Sequence, residues 1–313
     1  MPAASSQPKA PATRAAQAVA QRWAAPTRRR LVVVSSGYLL PGAGFAGRVH
    51  SVFAQACNFS WGNSLVTLGS SRLAHGPTTL RLAEGPAIDL RELFDVGEPV
   101  ICRGGLARTR DVDLDLQQAQ VWRPADPRPL QAREPIEAAL RRAARVLAHW
   151  RCDHRSVIDA EAAPVAASLG AACAAFDIDT ALRQAERLIG WGEGLTPAGD
   201  DFLVGLIAGL DALLQDDARR QDFRDRLSLA LSANAQRTTM IAAHGLRLAA
   251  QGHCGAPLHA LRDALLSEPR AGLVETRLRR ALAIGASSGA DMVSGLLVGL
   301  TAWLPTASAK ATA

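Results

Sequence analysis

The sequence predicts an α+β chain: a small N-terminal β-barrel or sandwich, then an all-α C-terminal domain with two buried Gly-rich helices. Three observations predict it. Residues 31–125 hold many short apolar runs broken by Gly and Pro, the pattern of closely spaced strands. From about Glu134 the apolar residues recur at helical spacing instead. In that half, two glycine-bearing apolar segments each begin at an aspartate, Asp201 and Asp291.

Residues 1–30 are rich in Ala, Pro, Ser and Gln and contain no acid, so they are expected to be a disordered basic tail. Lys9, Arg14, Arg22, Arg28, Arg29 and Arg30 account for the whole net charge of +6. The rest of the chain is balanced, which argues against a nucleic-acid-binding surface. The tail lacks the apolar segment of a secretory signal and is read as a floppy start rather than a transit peptide. No apolar run approaches the roughly 20 residues of a membrane helix, so no membrane partner is expected. The five cysteines are odd in number and none forms a Cys-x-x-Cys pair. Free thiols in a reducing, cytoplasmic setting are the expectation.

The β domain is expected over 31–125, with strands at Leu31–Val34, within Gly47–Trp61, and at Leu65–Leu68, Thr79–Leu82, Ala87–Leu90, Pro99–Cys102 and Asp111–Leu116. In the last, Asp111, Asp113 and Asp115 alternate with Val112, Leu114 and Leu116, which sorts carboxylates to one face and apolar side chains to the other. That comb reads as a solvated strand face rather than a metal site. Prolines 124, 127 and 129 stop regular structure, so 126–133 is the linker. The all-α domain follows over 134–305, with a short tail at 306–313. Its first helix carries Ile136, Leu140, Ala143, Leu147 and Trp150 on one face. Further helices are expected near 157–175, 179–189, 198–214, 222–235, 238–251, 257–267, 272–284 and 288–303, with Gly190, Gly252 and Gly285 as C-terminal caps.

The chemistry concentrates in Gly192-Glu193-Gly194-Leu195-Thr196-Pro197-Ala198-Gly199-Asp200-Asp201. Thr196 is placed to cap and Pro197 to open the helix. The segment has an echo at Gly289-Ala290-Asp291, in which Gly199, Asp201, Gly205 and Gly209 match Gly289, Asp291, Gly295 and Gly299. Glycines four apart let two helices approach closely, which would bring Asp201 and Asp291 to neighbouring N-terminal ends. The Gly192–Thr196 turn offers backbone N–H groups for an anion, but it matches neither a P-loop nor a dinucleotide fingerprint. Asp200 and Asp201 could serve as general base, Mg²⁺ ligand or acceptor for a substrate amide. Arg237, Thr238 and Thr239 make an Arg fork with hydroxyls at a helix start, and Ser287 and Ser288 stand in the analogous place before Asp291. His244 reads as a packed or surface residue. His149, His154, His253, Cys254 and His259 fit no standard metal spacing, and no nucleophile elbow occurs.

Gly194–Phe202 with Gly205-Leu206, the later Ile284–Asp291 with Gly295, and Ser51-Val52-Phe53 with Ala56 and Asn58 resemble the motifs of the AllH-like family, formerly a domain of unknown function. The resemblance spans most of 45–303. Ser287 stands where the family often has Thr, which keeps the hydroxyl. The resemblance implies a subunit of oxamate carbamoyltransferase, which works with AllF (FdrA-like) and AllG-like partners and converts oxalurate and phosphate into oxamate and carbamoyl phosphate. Side-chain chemistry compatible with that reaction assigns Gly192, Gly194, Thr196, Gly199, Thr238, Ser287, Ser288 and Gly289 to substrate binding, and Asp200, Asp201, Asp291 and Arg237 to the chemistry. No resident metal is assigned; Mg²⁺ is the one candidate cofactor. The competing readings are a non-catalytic scaffold or ligand-binding subunit and a stand-alone metal-dependent amide hydrolase.

Overall fold

The structure, a computed structural model, describes residues 28–40, 44–85, 88–153 and 161–304. The expected tails at 1–27 and 306–313, the start of the helix expected from 157, His154 and the Cys152 side chain lie outside the described residues.

The strands are β1 (Arg29–Gly37), β2 (Phe45–Val52), β3 (Ala56–Trp61), β4 (Ser64–Gly69), β5 (Thr79–Leu82), β6 (Pro99–Arg103), β7 (Leu106–Arg108), β8 (Val112–Asp115) and β9 (Gln120–Trp122). The order β5-β4-β3-β2-β6-β7-β8-β1 is closed by pairing of β1 with β5, so eight strands form a barrel rather than a sandwich. Closure leaves no open edge among these eight. β9 lies outside the ring, parallel to the second half of β1, with Ser35 opposite Gln120. Val33, Cys57, Phe59, Val66, Leu68, Leu80, Val100, Val112 and Leu114 fill the interior. The aspartate comb points outward. Asp113 pairs with Arg28 at 2.8 Å and Asp115 with Arg30 at 2.6 Å, so cross-strand ion pairing explains it without a metal. Ile88–Leu90 forms no strand: the chain turns into a 3₁₀ helix, Leu90–Glu92, capped by Asp89. The short strands β7 and β9 add to those the sequence predicts.

The second half contains α1 (Arg133–Asp153), α2 (Ala163–Ala175), α3 (Ile178–Leu188), α4 (Ala198–Asp211), α5 (Ala218–Asn234), α6 (Met240–Ala250), α7 (Ala256–Leu266), α8 (Ala271–Leu282) and α9 (Ser288–Trp303). None is long and apolar enough to cross a membrane. α4 and α9 form the centre, packed round by the other helices. A Cβ on Gly205 would lie 1.9 Å from the Met292 carbonyl oxygen, and one on Gly295 would lie 1.9 Å from that of Phe202. Gly209 meets Gly299 in the same way, one turn further along. Contacts advance together along both helices, so the pair runs parallel with both N-termini at one end. This is the arrangement the repeat predicts.

Barrel and helices meet through polar pins. His244 in α6 accepts from the Leu65 N–H at 3.3 Å through Nδ1 and contacts Thr78 Oγ1 at 2.9 Å through Nε2. Nδ1 as acceptor leaves the proton on Nε2. Burial, with the Arg247 charge, lowers its pKa to about 4, so the ring is neutral. Tyr38 meets His253 at 2.7 Å, and the Ala256 N–H donates to the His75 carbonyl at 2.9 Å. Cys57, Cys102, Cys173 and Cys254 are free thiols.

Candidate functional site

The two central helices begin in the same way. After α3, Gly190, Gly192 and Gly194 take φ values of +72°, +106° and +98°, a region that side chains disfavour. This lets the chain double back. The Trp191 N–H donates to the Leu188 carbonyl at 3.0 Å, and the Gly199 N–H donates to the Trp191 carbonyl at 2.9 Å. A Cβ on Gly199 would stand 2.0 Å from the Leu188 oxygen, so the turn presses directly on the end of α3. Gly289 sits the same way at the end of α8, 2.1 Å from the Ala281 oxygen.

The adjacent aspartates do different work because neighbouring helical side chains diverge by roughly 100°. Asp200 is 1% exposed. Its Oδ1 accepts from the Gly190 N–H at 3.0 Å and its Oδ2 from Thr238 Oγ1 at 2.5 Å. Burial raises its pKa against the pull of those two bonds. Asp200 therefore ties the glycine turn to the segment before α6. Asp201 points toward α9. Burial pushes its carboxyl up to about 7, opposed by hydrogen bonds from Ser288 and Thr196 and reinforced by the charges of Asp291 and Asp200. Its Oδ2 is buried with no hydrogen-bond partner. Thr196 Oγ1 and Ser288 Oγ, one from each helix entry, lie 2.9 Å apart. Asp291 is fully buried beside them. Two helix dipoles direct their positive ends at this cluster.

One expectation needs correction. The residue at the N-cap position of α4 is Pro197, with no side-chain cap bond, and the helix starts at Ala198. The Thr196 hydroxyl faces Ser288 instead of capping. Ser287 holds the N-cap position of α9, and its carbonyl, not its hydroxyl, accepts from the Ala290 and Asp291 N–H groups.

The turn keeps open donors. Among the described residues, no hydrogen bond engages the N–H groups of Gly192, Glu193, Gly194, Leu195, Thr196 or Ala198. Thr239 caps α6 through the Ala242 N–H at 3.1 Å and donates to the Leu195 carbonyl at 2.5 Å, which holds the turn down. Arg237 ends a 3₁₀ turn, Ala235–Arg237. Its carbonyl packs under Gly190, but the residue is exposed and, among the described residues, its guanidinium forms no ion pair with the three aspartates. Thr238 thus joins the cluster through its hydroxyl, and Arg237 only through its backbone.

Sequence reasoning missed Arg151. Its Nη2 donates to Ser294 Oγ at 2.5 Å, one turn beyond Asp291, from a helix 143 residues away in sequence. No local pattern marks so distant a contact. Among the described residues, no group of three or more His, Cys, Asp or Glu could hold a metal. Mg²⁺ commonly uses one or two carboxylates plus substrate phosphate oxygens. Asp201 and Asp291 supply two buried carboxylates and no third ligand of this kind stands beside them among the described residues.

Two family models match the chain. That described as oxamate carbamoyltransferase subunit AllH matches residues 188–300, and that described as the AllH family N-terminal domain matches residues 29–121. The first covers both glycine–aspartate motifs and the second covers the barrel. No solved structure matches.

Proposed function

Since the chain belongs to the AllH family, whose model describes an oxamate carbamoyltransferase subunit, we propose that it works with AllF/FdrA-like and AllG-like partner subunits in carbamoyl transfer on small amide acids. The reaction is oxalurate plus phosphate to oxamate plus carbamoyl phosphate. The observation that carries this reading is the meeting of two helix N-termini at Asp201, Asp291, Thr196 and Ser288, beside a turn with open N–H groups.

Each part has a role in such a transfer. The N–H groups of Gly192–Thr196 and the positive helix ends suit a phosphate or carboxylate. In the reaction a phosphate oxygen bonds to the carbamoyl carbon, the bond to the oxamate nitrogen breaks, and that nitrogen takes up a proton. A carboxyl titrating near neutrality, as burial makes Asp201, can supply that proton. The Thr196 and Ser288 hydroxyls orient the group, while Asp200 and Thr238 hold the turn. Exposed Arg237 is available to an incoming anion. Mg²⁺, if carried in by phosphate, would neutralise its charge beside Asp201 and Asp291.

The test is phosphate-dependent breakdown of oxalurate, read as carbamoyl phosphate, with this chain alone and then with its partners. Activity only in the mixture, lost in Asp201→Asn without loss of assembly, is the expected result. Full activity of Asp201→Asn in an assembled mixture refutes the catalytic reading and favours a scaffold.

A further inference from the structure

A groove runs along the outside of the molecule where the barrel meets the helices. Its first part is a cavity of about 720 Å³ over the outer face of β1 and β9. The second, about 440 Å³, lies between the linker and α7–α8 and shares Trp122 and Arg123 with the first. The third, about 480 Å³, lies at the start of α8 and shares Arg270, Leu273 and Arg277 with the second.

Two features distinguish this groove. The first is apolar exposure on strands. Val32, Val34 and Val121 are 48%, 41% and 58% exposed and line the same cavity, on strands β1 and β9. β9 pairs only with β1 among the described residues, so its other edge carries open backbone donors and acceptors. The second is unbalanced charge. Glu268 is engaged by Arg128 and by Arg270, and Asp263 by His259 and Arg262. Arg123, Arg277 and Arg280 have no ion pair among the described residues. Arg123 instead lies over the Tyr38 ring at 5.5 Å. The groove's two acids are neutralised from within, while three guanidiniums remain for an outside partner.

We propose that this groove docks an extended acidic segment of a partner subunit, which adds a strand to β9 and sets its carboxylates on Arg123, Arg277 and Arg280. Alternate apolar side chains of that segment would cover Val32, Val34 and Val121. Backbone pairing supplies affinity and the arginines supply sign and direction. The inference rests on the proposed function only in making the occupant a subunit of the same enzyme.

A labelled ten-residue peptide of alternating Val and Glu probes the groove directly, with a Val–Lys peptide and an oligoglutamate of equal length as controls. The Val–Glu peptide should bind, and weaken as salt rises. It should lose at least tenfold in affinity to the Arg277→Glu/Arg280→Glu double variant, and the oligoglutamate should bind more weakly. No binding, equal binding of the Val–Lys peptide, or no change in the double variant overturns the proposal. A photo-crosslinking residue at position 121, compared with one at exposed Leu229 on α5, gives the second measurement in the assembled enzyme. Crosslinks from 121 to an acidic partner segment support docking. An active mixture without them removes docking and leaves the carbamoyltransferase reading intact. If no mixture assembles, that reading fails, and the peptide result alone decides the groove.

Discussion

Replacing Asp201 by Asn should stabilise the protein at neutral and alkaline pH and, on the proposed function, abolish carbamoyl phosphate formation. The carboxyl titrates near 7 in the folded chain and close to 3.8 when unfolded. The folded state therefore holds the extra proton between those values, and stability falls as pH rises through them. Each tenfold difference in proton affinity between the two states is worth about 1.4 kcal/mol, so the ionised group costs about 4 kcal/mol above pH 8. Asn keeps an acceptor for Thr196 and Ser288 and has no charge to bury, so a gain of about 2–4 kcal/mol is expected there. The pH dependence is the sharper test. Between pH 8 and pH 6, Asp201 alone should give the wild type about 1.4 kcal/mol that the variant does not gain. His244 acts in the opposite sense near pH 6, but it is common to both proteins and cancels in their difference. Urea unfolding of both proteins at pH 6, 7 and 8 reads this difference, and carbamoyl phosphate formation should fall by about 10²-fold or more. An Asn variant less stable at every pH, or a difference that does not change with pH, would refute the assignment of a strained functional carboxyl.

Other outcomes follow from the same contacts. Gly205→Ala should cost about 3 kcal/mol or more, because its Cβ meets the Met292 carbonyl at 1.9 Å, whereas Gly245→Ala, with nothing nearer than 3.8 Å, should gain about 0.5–1 kcal/mol in thermal unfolding. Asp200→Ala leaves the Gly190 N–H and the Thr238 hydroxyl without their acceptor and should cost about 2–4 kcal/mol, with Asp200→Asn milder by calorimetry. The wild type should lose up to about 3 kcal/mol as pH drops from 6.5 toward 4, and His244→Gln should flatten that fall in urea unfolding. Arg237→Ala should leave thermal stability unchanged and raise the KM for phosphate in the assembled enzyme.

Much of the architecture is legible in the sequence, for identifiable reasons. The glycine spacing in Gly205/Gly209 and Gly295/Gly299 encodes a close parallel contact because only absent side chains permit it. That contact fixes the neighbourhood of Asp201 and Asp291. Barrel and sandwich cannot be told apart from sequence, since closure depends on Val33 meeting Leu82, a pairing that leaves no local trace. Thr196 looks like a cap because it precedes Pro197, yet its partner Ser288 is 92 residues away. Arg237 stands out by residue type, but its side-chain direction is set by a 3₁₀ turn that composition does not reveal. β7 and β9 are three residues each, too short for an alternating pattern to register.

The seam between α4 and α9 is built from main chain, so it has no rotamers through which to adjust. Asp201 and Asp291 each stand one turn before a backbone-to-backbone contact, so the spacing of the two helices beneath them is held as on a rigid ruler. On the proposed function, adaptation to a different substrate enters through the turn above, where Glu193 and Leu195 are exposed and replaceable, while Trp191 packs against the helical core. A library confined to Glu193 and Leu195 should alter substrate choice at little cost in folding, whereas one directed at the seam should return unfolded chains.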